Sequence, residues 1–329
     1  MTTNIYYATP PLKTKIGGFG NVSNTWHSIN QDDTQIHFET ENKGQEIAFL
    51  YHQPPQVEMI QGCAKKIGYF MFESSKCPPD WEQYMRELDV VITPSKFARD
   101  IFYNQFGIDS IVIPHGVDTD IYTYQPRPDN TVFKILHYNG FDFRKGFDIV
   151  IEAFTQEFDP NVDKAILTMK AYSGNNYPYF DYRIDTIIED YNQDQLLGLL
   201  AKHDVFIFPS RGEGFGMTPL EAMNTGMPVI IPNAHGIAEY FDDRYCYEIE
   251  CDKCKAVYYR EDYDQHDLGV WSEPQIQSTR KQLRQAYNDW LAKTGQFTEG
   301  LDKERAEYAS QFSLKKSYNE IRQQMINLL

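Results

Sequence analysis

The chain has 329 residues, 41% hydrophobic and 24% charged, the balance of a soluble globular protein with room for two cored domains. Its formal net charge of −16 argues against broad, charge-driven attraction to nucleic acid or anionic lipid. No apolar run approaches the ~20 residues of a membrane span, and the opening MTTNIYYATPPLK lacks the basic-then-apolar order of a secretory signal, so a cytoplasmic enzyme is expected.

In chain order, short apolar runs predict strands at residues 5–8, 47–51, 67–72, 90–93 and 111–114, then at 133–138, 165–171, 205–209 and 229–232. They are apolar throughout rather than alternating, as buried parallel strands are. Helical stretches at 94–106 and 146–158 supply crossovers, which gives doubly wound α/β units. Residues 122–130 (YTYQPRPDN) interrupt the periodicity with two prolines and polar residues, and a domain boundary is expected there. Beyond residue 290 the chain reads as helical at 301–310 and 313–329.

Residues 209–232 (PSRGEGFGMTPLEAMNTGMPVIIP) read as a strand end, a glycine-rich turn, a short helix and another strand. Glu213 and Glu221 stand eight positions apart across that turn, with Gly214, Phe215 and Gly216 beginning the interval. Thr218, Pro219 and Glu221 suggest a capping box with Thr218 as the N-cap. Free amides at the helix start make an anion site, so one segment offers carboxylates for sugar hydroxyls and amides for phosphate. Open α/β sheets bind ligands beyond the carboxyl ends of their strands. Gly17-Gly18-Phe19-Gly20, residues 141–146 and Glu213 each follow a strand and would face one cleft.

Five cysteines do not make a disulfide scaffold. Cys246, Cys251 and Cys254, followed by His266, contain a CxxC half-site for which zinc is conceivable. Only one CxxC is present, and residues 245–259 read as a strand pair, which favours a structural role.

The Glu213–Glu221 segment resembles the Glu-x7-Glu motif of retaining glycosyltransferases with the GT-B fold, family 4 in particular. Residues 17–20 are similar to that family's first glycine loop, residues 111–122 (IVIPHGVDTDIY) to its interdomain segment, and residues 143–154 (FRKGFDIVIEAF) to its donor-phosphate segment. The four matches occur in family order and span most of the chain. The resemblance implies two Rossmann-like domains facing a cleft: residues 1–125 on the acceptor side, 126–310 binding the nucleotide sugar, and 311–329 a helix crossing back to the first domain. It implies retaining, metal-independent transfer of a hexose-type sugar from a nucleotide-diphosphate sugar (a UDP- or GDP-sugar) to a hydroxyl acceptor. By the same resemblance no other cofactor is expected. A saccharide of surface-glycan assembly is the commonest acceptor.

By the same resemblance Lys145, beside Arg144, grips the donor pyrophosphate, where a fixed cation stabilises the charge growing on the leaving group. The resemblance also implies that Glu213 lies against the donor sugar and that Glu221 binds the ribose hydroxyls. Gly17, Gly18 and the amides of Phe215, Gly216, Met217 and Thr218 complete the donor site. Where the family commonly has a second phosphate-binding arginine, this chain has Asn139, which hydrogen-bonds a phosphate without neutralising it: either Arg144 or Arg211 compensates, or phosphate binding is weaker, or the donor differs. Glu73 stands about where many relatives place a histidine near the anomeric carbon, and it would orient the acceptor or take its proton. His52 would shape the cleft and His115 serve as a hinge residue. Competing readings are a phage-type enzyme acting on hydroxylated bases in DNA, a non-catalytic GT-B scaffold, and a sugar phosphorylase or nucleotide-sugar isomerase on the same fold. A dehydrogenase is disfavoured, since no GxGxxG follows the first strand of either half.

Overall fold

The apolar runs become the inner strands of two parallel sheets. The structure, a computed structural model, describes residues 2–10, 12, 18–139, 141–172, 181–258, 263 and 265–329. The first sheet holds β1 (Thr3–Ala8), β2 (Ile36–Glu39), β3 (Ile47–Tyr51), β4 (Lys65–Tyr69), β5 (Val90–Thr93) and β6 (Ile111–Val112) in the order β2-β1-β3-β4-β5-β6. The second holds β7 (Phe133–Tyr138), β8 (Ala165–Ala171), β9 (Ile184–Ile188), β10 (Val205–Ile207), β11 (Val229–Pro232) and β12 (Cys246–Ile249) in the order β12-β11-β10-β7-β8-β9. Every neighbouring pair in both sheets is parallel. The order reverses between β1 and β3 in one sheet and between β7 and β10 in the other, and such switch points are where open α/β sheets receive ligands.

Helices flank the sheets: α1 (Gly18–Asn30), α2 (Trp81–Met85), α3 (Lys96–Phe106), α4 (Phe147–Glu157), α5 (Gln193–Lys202), α6 (Met217–Asn224), α7 (Ile276–Ala292), α8 (Leu301–Ser310) and α9 (Leu314–Asn327). The expected doubly wound α/β class is what forms. Sequence reading missed β2, whose residues alternate between buried and half-buried, and β9, an edge strand with exposed Asp185 and Thr186. The strand pair expected within 245–259 does not form. Instead β12 edges the second sheet beside β11, while β13 (Cys251–Lys255) pairs antiparallel with β14 (Val270–Pro274).

Several contacts join the two halves, and three of them shape the fold. Val117 N donates to Phe312 O at 3.0 Å and Leu314 N to Val117 O at 2.9 Å, so two passages of the chain run side by side. The apolar face of α9, carrying Leu314, Tyr318, Ile321 and Met325, enters the core around Ile5, Val22 and Trp26. There Trp26 Nε1 donates to Leu314 O at 3.2 Å. The β13–β14 hairpin is the third link. Its Ala256, Leu268 and Trp271 pack with Phe70, Phe72 and Trp81 of the first half, and Ser75 N donates to Val270 O at 3.1 Å. Among the described residues no helix is long and apolar enough to cross a membrane.

Candidate active site

At the second switch point, the loop after β7 and the loop after β10 are tied together. Asp142 caps the 3-10 turn Phe143–Lys145 by accepting from Arg144 N at 2.8 Å. Gly146 then takes φ +75°, and a Cβ there would overlap the Pro209 carbonyl oxygen, so only glycine lets the two loops come this close. Arg211 N donates to Arg144 O at 2.7 Å. The result is a buried ion cluster. Lys145 Nζ lies 2.6 Å from Glu213 Oε1, Ser210 Oγ donates to the same oxygen at 2.9 Å, and Arg144 Nη1 stands 3.5 Å from it. Arg144 also donates to Gly212 O at 2.5 Å.

Glu213 is 6% exposed. Burial alone would push its carboxyl up, but the charges of Lys145 and Arg144 outweigh burial and hold it below the usual carboxylate range. Burial lowers the Lys145 ammonium, with Arg144 adding to the effect and Glu213 opposing it. For Arg144, burial works against the charge, while Glu73, Glu213 and Asp142 together raise its pKa. Glu73 and Arg144 share the wall of one cavity.

Glu221 sits in different surroundings. The expected capping box is not made: Gly216, at φ +82°, is the N-cap of α6, and Thr218 lies inside the first turn. The left-handed glycine turns the chain into the helix one residue before Met217, which leaves Thr218 nothing to cap. Pro219 is accommodated in the first turn, where its missing N–H is not needed. Thr218 Oγ1 instead accepts from Asn139 Nδ2 at 3.1 Å. The Glu221 carboxylate accepts from Tyr138 Oη at 2.9 Å and from Tyr122. Burial pushes its pKa up to about 7, against the pull of those two hydroxyls. The Phe215 ring, 2% exposed, is turned into the core beside His115 and Tyr240, so only its backbone can serve a ligand. Met217 packs against the core clusters of both halves.

Arg211, offered with Arg144 as the cation that would compensate for Asn139, is engaged by other groups. It is 2% exposed, and its guanidinium is held by Asp148 at 2.8 Å and Glu273 at 2.7 Å while stacking 3.7 Å over Phe143. Arg144 is the second cation of the cluster. The cysteines also separate: Cys246 lies in β12, and Cys251 and Cys254 in β13. Burial raises their thiols to about 12, 12 and 11. Among the described residues no three His, Cys, Asp or Glu side chains gather to hold a metal.

The first half supplies the opposite wall. Ser95 Oγ donates to Gly214 O at 2.7 Å. A cavity of about 550 Å³ opens beside this contact, with Glu73, Arg144 and His52 on its wall and Trp81, Phe141 and Tyr258 among its aromatic lining. His115 is buried, stacked with its ring centroid 4.8 Å from that of Tyr69 and lying T-shaped to Phe215 across the halves, centroids 5.9 Å apart. Gly17 lies outside the described residues, and Gly18 opens α1.

Residues 185–253 match the family described as Glycosyl transferases group 1, a span that holds both Glu213 and Glu221. "Putative glycosyltransferase ORF313" of Acidianus filamentous virus 1 is 27% identical over 201 residues, 57% of this chain and 58% of that protein. "Lipopolysaccharide core biosynthesis mannosyltransferase LpsB" of Rhizobium meliloti is 25% identical over 192 residues, 52% and 53% of the two chains. The chain thus spans little more than half the length of these curated relatives. The solved structure of Anabaena HepE "in complex with UDP and glucose" superimposes with a TM-score of 0.67 at 13% identity, covering 99% of this chain and all of that one. The fold is GT-B.

In this GT-B cleft, sequence reading did not find Ser210, Tyr138, Tyr122 or His235. Tyr138 closes β7 directly before Asn139, so its place at the strand's carboxyl end was the available signal. His235 gave none, because its surroundings come from elements distant in sequence.

Proposed function

We propose that the protein is a retaining, metal-independent glycosyltransferase that moves a hexose-type sugar from a nucleotide-diphosphate sugar to a saccharide hydroxyl. Glu213 carries this reading. It is a buried carboxylate with Lys145 and Arg144 on one oxygen, at a switch point, eight residues before a second buried carboxylate. The donor's diphosphate is read onto Lys145, Arg144 and the first-turn amides of α6, and its ribose hydroxyls onto Glu221. The two cations then occupy the place where negative charge grows as the glycosidic bond breaks. The acceptor oxygen attacks the anomeric carbon on the face the diphosphate leaves, the bond from that carbon to the phosphate oxygen breaks, and the acceptor proton passes to the leaving phosphate. Configuration is therefore retained. Glu73 orients the acceptor hydroxyl from the cavity wall. The aromatic lining around it supports a neutral sugar ring as acceptor, since ring faces cover its C–H surfaces while carboxylates take its hydroxyls. Names such as the LpsB mannosyltransferase and the UDP and glucose bound to HepE support the donor class. A cytoplasmic location, where nucleotide sugars are made, goes with this reading.

The test is thermal shift and hydrolysis against UDP-, GDP-, ADP- and TDP-sugars with EDTA present, for the wild type and Lys145→Ala. Stabilisation by one nucleotide class, with slow release of that nucleotide, is expected in the wild type, and both are expected to vanish in the variant. Wild type that responds to none of the four overturns the assignment, and turnover abolished by EDTA overturns metal independence.

A further inference from the structure

His235 opens the 3-10 turn His235–Glu239 that follows β11. Its backbone has φ +49°, a left-handed conformation that side chains other than glycine adopt at a cost. It is 9% exposed, and among the described residues neither ring nitrogen has a hydrogen-bond partner. Two buried, unpaired nitrogens on a strained backbone are disfavoured in a resting fold and recur where a ligand completes them.

The ring's position indicates which ligand. The next residue, Gly236, donates its N–H to Glu213 O at 2.9 Å, so His235 sits over the turn that carries Glu213. Its ring lies T-shaped to that of Phe97 from the opposite wall, centroids 5.4 Å apart. Glu213 and Arg144 are the charges that act on it. Burial lowers its pKa to about 4, so the ring is neutral at pH 7 and offers one N–H donor and one bare acceptor. An ionised phosphate supplies only acceptors and would leave the bare nitrogen unanswered. A pair of sugar hydroxyls supplies both partners.

We infer that His235 is a ligand of the transferred sugar, donating to one of its hydroxyls and accepting from another. This rests on the donor reading above. The test compares wild type, His235→Gly and His235→Asn with two probe pairs, UDP against UDP-glucose and GDP against GDP-mannose, by thermal shift and calorimetric Kd. The unliganded glycine variant is expected to melt no lower than wild type, since strain and unpaired nitrogens are both removed. Its affinity for the bare diphosphate stays unchanged, while its affinity for the matching nucleotide sugar falls at least about tenfold. His235→Asn, which keeps one donor and one acceptor and tolerates the left-handed backbone, recovers part of that loss. If wild type binds a nucleotide sugar and His235→Gly binds it equally well, or loses the diphosphate to the same degree, this inference fails alone. Where the panel above shows another nucleotide class to be bound, that nucleotide and its sugar replace these pairs; if wild type responds to none of the four classes, the donor reading fails and this inference with it.

Discussion

In a Glu221→Gln variant, a buried carboxyl is exchanged for a neutral amide of nearly the same shape, and the Tyr138 hydroxyl keeps an oxygen to donate to. Burial raises this carboxyl from an ordinary 4.5 to about 7. A group raised in the folded state contributes stability that is fully present below pH 4.5 and lost as pH climbs through 7. At about 1.4 kcal/mol per tenfold, the whole span is worth roughly 3 kcal/mol, of which about 2 kcal/mol falls between pH 5.5 and 8.5. Glutamine does not titrate, so the variant escapes that loss. Urea unfolding of both proteins at pH 5.5 and 8.5 gives a double difference from which the other carboxylates cancel. It should favour the variant by about 2 kcal/mol more at pH 8.5 than at pH 5.5. A double difference near zero, or one of opposite sign, refutes the picture of a carboxyl raised by burial and held by tyrosines alone.

Gly146→Ala should lower stability by about 3 kcal/mol or more, since φ +75° is strained for alanine and the obstructing atom is the Pro209 backbone carbonyl rather than a movable side chain. A loss under about 1 kcal/mol in urea unfolding contradicts the close approach of the two loops. Arg211→Met should cost about 2 kcal/mol or more by leaving Asp148 and Glu273 without their cation. UDP affinity of the folded variant should stay within about threefold, below the cost of one lost charged hydrogen bond. A collapse of UDP binding with the fold intact would make Arg211 a phosphate ligand after all.

Strands covered on both faces were legible residue by residue, as at β3, β7 and β8, because burial on both sides leaves an unbroken apolar run. Edge strands β2 and β9 were not, because β2 buries only alternate side chains, β9 buries none fully, and their composition blurs into loop. The turn from Gly212 to Gly216 was legible as a ligand loop from its glycines. The Thr-Pro-x-Glu pattern after it misled, because a left-handed Gly216 supplies the helix start and frees Glu221 to face two tyrosines. Sequence offered Arg144 and Arg211 as equals. What separates them is Glu273, which arrives from β14, and Asp148, one helical turn beyond Lys145. His235 was illegible for the same reason: its isolation is a property of three-dimensional neighbours.

The placement of α9 has a consequence for synthesis. The core that β1 begins is closed by Leu314, Tyr318, Ile321 and Met325, which follow every sheet strand in chain order. A ribosome adding about 5–20 residues per second takes roughly 10–40 seconds to travel from β6 to α9. The second sheet emerges complete within that interval, while the first still lacks the α9 face that packs beside Trp26. The half that is synthesised first is thus the one whose core waits for the last helix to complete it.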